Sequence, residues 1–477
     1  MQRPRYALRT YGCQMNQHDS EKLASLLHHA GYGLAPGEDE ADLVLVNTCS
    51  IRDKAEHKLY SDLGVLSAWK RGGEGRAIGV GGCVAQQEGD RILKRFPAVD
   101  FVFGTHNLKL VPAMASAAFE GRRSVDVAER RSLDRFELPE RHPDCPDLTP
   151  GRAWITVMEG CDMFCSFCIV PTTRGREISR PGEWIISEVE AAARRGVSEV
   201  TLLGQTVNAY GRQEARRGHA QKVGTLPFAD LLARLDAIPG IERIRYTSPH
   251  PIFFDEALIE AHASLGSLCP HVHLPLQSGS DRILERMRRR YSARSYVALV
   301  QALRRARPDV AITTDLIVGF PGETEADFEA TLSLVEEVGF VDHYSFKYSP
   351  RPGTAAGALD GEVGPDVAQE RLERLQDAQR RLTLDYHRSR VGDKARVLVE
   401  GQSRRGNGQW AGRDPYHRVV NLVSGAKSVC PGAFVEVEIV EATPHSLIGE
   451  DACAMPEASP REGLWIEGVA KGVGSPA

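Results

Sequence analysis

Short apolar runs of strand length alternate with amphipathic stretches of helix length along the chain, and the alternation changes character twice. In the first segment, residues 6–11, 43–48 and 77–82 are apolar runs, each leading to a cysteine: Cys13, Cys49 and Cys83. Helical periodicity occupies 20–30 and 54–70 between them. Strands separated by helices predict a parallel, doubly wound sheet, whose functional residues gather beyond the carboxyl ends of the strands. All three cysteines fall there. Roughly 35 residues between them is the length of one βα unit, so thiols distant in sequence can meet in one crevice. Taken singly, each would read as a buried structural cysteine; the threefold repeat of the placement favours a shared site.

A charged stretch with several prolines, 129–150, reads as a linker after a first domain of 1–128. Six further strand candidates follow, at 154–158, 200–203, 243–247, 271–276, 311–318 and 343–348. Helical stretches alternate with them. Six βα repeats are too few for the closed eightfold barrel, which predicts an open partial (β/α)6 barrel over 151–389. After an amphipathic stretch at 367–389, the pattern shortens to alternating strands with glycine-rich turns at 394–399, 418–422 and 433–440. This predicts a small antiparallel β-barrel over 390–453, a form that often binds oligonucleotides. The end, 454–477, is rich in Gly, Pro, Ser and Ala and reads as a flexible tail.

A length of 477 residues with 42% hydrophobic content agrees with about three domains. No run approaches the roughly 20 apolar residues that cross a bilayer, so the expected partners exclude a membrane and the expected location is cytoplasmic. Ten cysteines in so long a chain suggest metal or redox chemistry rather than a secreted disulfide framework. The net charge of −5 gives no global basic footprint for nucleic acid.

The sharpest local signal is GCDMFCSFC, in which Cys161, Cys165 and Cys168 form a Cys-x3-Cys-x2-Cys run directly after a strand. Three thiolates can hold three irons of a 4Fe–4S cube and leave the fourth iron open, whereas structural zinc wants four closed ligands. No second Cys-x2-Cys pair follows. The same spacing would also suit a cysteine stripe on a helix, but the Gly160–Asp162 turn argues for a loop. An open iron invites S-adenosylmethionine, whose reductive cleavage yields a radical able to take hydrogen from an unactivated carbon.

This motif resembles that of the radical S-adenosylmethionine enzymes, and the three-part organisation resembles the methylthiotransferases over all but the tail. The segments TYGCQMN, NTCSIRDKA, GCVAQQEG, CIVPTTRGREISRP, LLGQTVNAYG, SPHP, HLPLQSGSDRILERMRR and IVGFPGET resemble the branch that modifies N6-dimethylallyladenosine at position 37 of tRNA, beside the anticodon. The resemblance implies two 4Fe–4S clusters, an auxiliary one on Cys13, Cys49 and Cys83 and a radical one on Cys161, Cys165 and Cys168. It implies S-adenosylmethionine as both methyl donor and radical source, and a C-terminal RNA-binding TRAM module. It further implies tRNA as substrate, and an electron donor and a sulfur or cluster source as partners; the sequence does not identify the oligomeric state, for which a monomer is favoured. The nearest alternatives are the same chemistry on threonylcarbamoyl-adenosine in tRNA or on a ribosomal-protein aspartate; from another class, an RNA-binding protein with structural zinc.

Adenine C2 has no acidic proton, so no catalytic acid–base dyad is expected and the clusters carry the chemistry. Phe167, Gly204, Gln205, Asp315 and Gly319, at or near strand ends, are candidates to contact S-adenosylmethionine; capping and packing are the alternative roles. Arg286, Arg288 and Arg289 in the central domain, and Arg404, Arg405 and Arg413 in the last, are candidates to contact RNA phosphates. The last domain carries seven Lys or Arg against seven Asp or Glu over 391–450, so recognition of RNA shape and splayed bases is expected over simple electrostatic capture. Cys145, Cys269, Cys430 and Cys453 lack partner spacing and read as bystanders, with Cys145 reactive if the linker leaves it open.

Overall fold

The computed structural model describes residues 3–50, 53–145, 149–403, 408–423 and 429–453. Arg404, Arg405 and the expected tail at 454–477 lie outside the described residues.

Six parallel strands build the first domain: β1 (Arg5–Thr10), β2 (Gly33–Leu34), β3 (Leu43–Thr48), β4 (Ala77–Gly82), β5 (Phe101–Phe103) and β6 (Ser124–Asp126). Their order is β2-β1-β3-β4-β5-β6. The chain turns back between β1 and β3, the reversal point at which doubly wound sheets open a crevice. β3 and β4 are buried along their whole length, as strands covered by helices on both faces must be. Apolar cores lie on the two faces, one around Leu23, Leu45 and Phe103, the other around Val46, Leu63 and Val80.

The segment read as a linker packs against its neighbours. Phe136 and Cys145 are buried, Arg135 pairs with Glu159 at 3.3 Å, and His142 meets the rings of His28 and His29. Cys145, read as labile from its place in the linker, is 6% exposed, and burial shields its thiol.

The central domain contains β7 (Arg152–Thr156), the two-residue ribbon β8 (Met158–Glu159) and β9 (Ile178–Ser179), then β10 (Glu199–Leu203), β11 (Arg243–Tyr246), β12 (His271–His273), β13 (Ala311–Val318) and β14 (Asp342–Lys347). The main strands form two parallel triplets, β7-β10-β11 and β12-β13-β14. They are joined where Ile244 pairs with Leu268. This gives a six-strand arc without pairing between β7 and β14, the open barrel expected from six repeats. Side chains alternate along each strand. Thus Val272, Ile312, Leu316 and Val318 pack outward on helices, whereas His271, His273 and Thr313 hydrogen-bond to one another on the other face.

A helix at Pro365–Ser389 leads into the closed barrel of β15 (Lys394–Gln402), β16 (Trp410–Arg413), β17 (Val419–Leu422), β18 (Phe434–Ala442) and β19 (Leu447–Cys453). Its pairings are antiparallel except β17 with β19, which run parallel. This barrel sits at the amino-terminal ends of the arc's strands. Arg245, on β11, donates to the carbonyls of Asp414 (2.8 Å) and Pro415 (2.9 Å). The ring of His417 stacks on His271 at 5.3 Å, and Arg418 pairs with Asp342 at 2.9 Å. Among the described residues, no helix is long and apolar enough to cross a membrane.

Candidate functional site

Each cysteine of the first trio stands where a strand ends. Cys13 follows β1 and precedes the helix Gln14–His29, Cys49 follows β3, and Cys83 opens the helix Cys83–Glu88 directly after β4. The parallel register places these ends side by side. Cys49 lies within hydrogen-bonding reach of both other thiols and keeps its proton, its titration pushed well up. By accepting from it, Cys13 is lowered to about 7 and Cys83 to about 6; the Arg174 guanidinium also lowers both. Two of the three thiols are thus biased toward thiolate, the form that binds metal.

Two buried asparagines hold the crevice. Asn16 donates to Asn47 Oδ1 (3.1 Å) and to the Thr48 carbonyl (3.2 Å), while Asn47 donates to the Asn16 carbonyl (2.8 Å) and to Ser20 Oγ (3.0 Å). This ties the start of the first helix to the end of β3. Gly12, with φ of +126°, passes so close to Cys49 that a Cβ would stand 2.3 Å from the Cys49 Cβ.

The second trio occupies the loop after β7 and β8, at the opposite end of the arc from the small barrel. Gly160, with φ of +81°, has no room for a Cβ against the Arg176 carbonyl, which would lie at 2.1 Å. Its amide donates to Gln205 Oε1 at 2.6 Å, and the Cys161 amide donates to the Gly175 carbonyl at 3.2 Å. Cys161 Sγ lies 3.1 Å from Thr206 Oγ1, and Arg289 Nη1 donates to Cys165 Sγ at 3.3 Å. Burial pushes Cys161 up and Cys168 up to about 12. Met163, Phe167, Val170, Ile252 and Phe253 wall the loop with apolar surface.

Both donor sets fit a 4Fe–4S cluster: each offers three thiols with hydrogen-bonding groups beside the sulfurs, in a polar, buried crevice for the first trio and against a largely apolar wall for the second. Among the described residues, no three His, Cys, Asp or Glu side chains converge on a single ion, whereas a cube spreads three ligands over three irons.

The remaining candidates fall in several places. Phe167 packs beside the trio and meets Phe320 edge-on at 6.5 Å. Gln205 supports the loop through Gly160. A Cβ on Gly204 would stand 2.7 Å from Met158 Cγ, so that glycine serves close packing. Asp315 is partly exposed and pairs with His273 at 3.3 Å. Gly319 faces the final helix, its potential Cβ 2.8 Å from Ala368, so its role is packing at the strand end.

The arginines diverge from the phosphate-facing roles expected of them. Arg289 turns inward to Cys165, Tyr291 and the Pro275 carbonyl. Arg286 braces the Pro321 carbonyl and Asp360. Arg413 pairs with Glu400 at 3.1 Å. Of the described four, Arg288 alone is exposed; the other three are half-buried.

Sequence reasoning did not single out Arg174, Asn16, Asn47 or Thr206. All four lie within the quoted segments, Asn16, Asn47 and Arg174 in ones that also carry a cysteine, and that placement was the available signal.

Residues 155–335 match the Radical SAM superfamily, 5–104 match Uncharacterized protein family UPF0004, and 388–450 match the TRAM domain. With the open arc and its three-cysteine loop, these define a three-domain protein of the Radical SAM class. The tRNA-2-methylthio-N(6)-dimethylallyladenosine synthase of Geobacter metallireducens is 51% identical over 93% of this chain and 97% of its own. Those of Geotalea uraniireducens (49%, 93% and 98%) and Mycobacterium bovis (45%, 93% and 86%) are similar. The chain belongs to the tRNA-2-methylthio-N(6)-dimethylallyladenosine synthase family. In fold alone it is like the radical S-adenosylmethionine methyltransferase TsrM of Kitasatospora setae. The form with cobalamin and a 4Fe–4S cluster has a TM-score of 0.53 at 16% identity, covering 75% of this chain and 74% of that one. The form with tryptophan and aza-SAM has a TM-score of 0.51 at 15% identity, covering 85% and 79%.

Proposed function

We propose that this protein installs a methylthio group at C2 of N6-dimethylallyladenosine in tRNA, beside the anticodon, with S-adenosylmethionine as methyl donor and radical source. The observation that carries the reading is the pair of separate three-thiol sites, each at the carboxyl end of a parallel sheet. Cys161, Cys165 and Cys168 would hold the radical cluster, and Cys13, Cys49 and Cys83 the auxiliary one. When bound, the first supplies the electron that cleaves S-adenosylmethionine and the second carries the sulfur to be transferred.

The chain's own groups prepare these sites. Thr206 and Arg289 direct hydrogen-bonding atoms at sulfur, which stabilises negative charge on the thiolates. The apolar wall keeps water from a reactive radical. Support for tRNA comes from the family and from the TRAM match; a tRNA substrate implies work in the cytoplasm. The reaction also requires an external one-electron donor and a renewable source of sulfur.

The test is anaerobic reconstitution followed by incubation with S-adenosylmethionine, a reductant and tRNA bearing dimethylallyladenosine. Mass spectrometry of the digested tRNA should find the 2-methylthio nucleoside. Product on threonylcarbamoyl-adenosine instead, or protein carrying zinc without sulfide, would count against the reading.

A further inference from the structure

The stretch Thr173–Arg176 belongs to the radical domain, yet it reaches both trios. At one end the Gly175 carbonyl accepts the amide of Cys161. At the other, Arg174 extends into the first domain, where its Nη2 donates to Asp19 Oδ2 at 2.7 Å with both side chains at most 3% exposed. Its guanidinium lies within hydrogen-bonding reach of the Cys83 thiol, and among the described residues the buried Nη1 has no oxygen or nitrogen partner. The backbone is locked too: the Thr173 carbonyl accepts from Thr105 Oγ1 at 2.7 Å, and the Arg174 carbonyl accepts from His106 Nε2 at 2.9 Å.

The guanidinium, charged at any ordinary pH, is buried and paired with Asp19 alone among the carboxylates within 4 Å in the described residues. A cation locked this deeply beside one of three thiols carries a large desolvation cost, which negative charge on that sulfur would offset. Asp19 occupies only part of its donor fork.

We propose that Arg174 is a positioning residue for the auxiliary cluster, supplied in trans by the radical domain. Through it, the field at Cys83 and the relation between the two sites are set by the same short segment. The inference rests on the two-cluster reading above. A nearby cation favours the more negative, reduced state of a cluster, and a nearby anion disfavours it. Arg174→Gln should therefore lower the auxiliary midpoint potential. Asp19→Asn, which leaves the guanidinium and every thiol in place, should raise it.

The experiment is an EPR-monitored redox titration in the Cys161→Ala/Cys165→Ala/Cys168→Ala background, so that only the auxiliary cluster is observed. Shifts of opposite sign in the two variants, with Arg174→Lys recovering most of the Arg174→Gln loss, are expected. A purely structural role would move both variants the same way. Equal potentials in all variants, or shifts of one sign, would overturn the inference; if Arg174→Gln does not fold, an unshifted Asp19→Asn protein does so alone. Absence of any cluster from the protein with Arg174 intact would instead sink the two-cluster reading itself.

Discussion

Cys161, Cys165 and Cys168 share one eight-residue loop, whereas Cys13, Cys49 and Cys83 stand on three strand ends spread over 71 residues. Both routes end in three thiols, but they hold them differently. The local trio needs a short backbone path, fixed by Gly160 and its partners Gln205 and Arg176. The dispersed trio needs the register of β1, β3 and β4, the Asn16–Asn47 bonds and a side chain from the neighbouring domain. A loop trio can keep its spacing while its surroundings loosen; a trio spread over a sheet cannot, because its spacing is the tertiary structure.

The two sites can be separated outright by removing one ligand from each. Cys161→Ala should abolish reductive cleavage of S-adenosylmethionine and retain the auxiliary cluster. Cys49→Ala should retain cleavage and abolish methylthio transfer. Each should halve the iron content to about four per chain. Iron and sulfide analysis with detection of the cleaved adenosyl product checks both, and a variant that lost both clusters would break the claimed independence.

Next in size are changes that touch no ligand. Gly12→Ala forces a Cβ into Cys49 in a backbone region that side chains avoid, with a cost of about 1–3 kcal/mol, and should empty the auxiliary site. Gly31, also at positive φ (+89°), has nothing within 4 Å of its potential Cβ. Gly31→Ala is the control, expected to lower thermal stability by about 1 kcal/mol with both clusters retained. Thermal melts paired with iron analysis distinguish crowding at the site from strain alone.

The same contrast explains what was legible. Strands 43–48 and 77–82 were readable to the residue because buried parallel strands are apolar runs, and the six strands of the arc were found through their alternation with helical stretches. β2, β5 and β6, of two or three residues, are too short to leave a period. The first helix starts at Gln14 rather than near residue 20, since Asn16, His18, Asp19 and Ser20 are buried polar residues facing the site and the next domain. Their polarity hid the helical face. Arg174 was passed over, and Arg289 was read as a phosphate contact rather than a partner of Cys165, for a related reason: an arginine reads as surface until tertiary structure buries it. Both trios were visible because cysteine chemistry is announced by type and placement.

A smaller effect probes the crevice. Asn47→Ala removes the bonds to Ser20 and the Asn16 carbonyl and leaves Asn16 with a buried, unmet donor, at about 1–3 kcal/mol. Auxiliary iron occupancy should fall while the radical cluster and its cleavage activity hold.

The smallest concerns the loop trio. Thr206→Val keeps the shape of the side chain and removes the hydroxyl 3.1 Å from Cys161 Sγ. One neutral hydrogen bond contributes about 1 kcal/mol, so folding and iron content should change little. What should change is charge stabilisation at the sulfur: without that hydroxyl, added electron density on the cluster is less well stabilised, and the potential of the radical cluster falls. Adenosyl cleavage under a weak reductant should then slow by up to roughly tenfold, the factor that about 1.4 kcal/mol represents, while cleavage under a strong reductant recovers. Equal rates under both would mean that the hydroxyl packs against Cys161 without tuning it, and the auxiliary potential, on the other sheet, should be unmoved throughout.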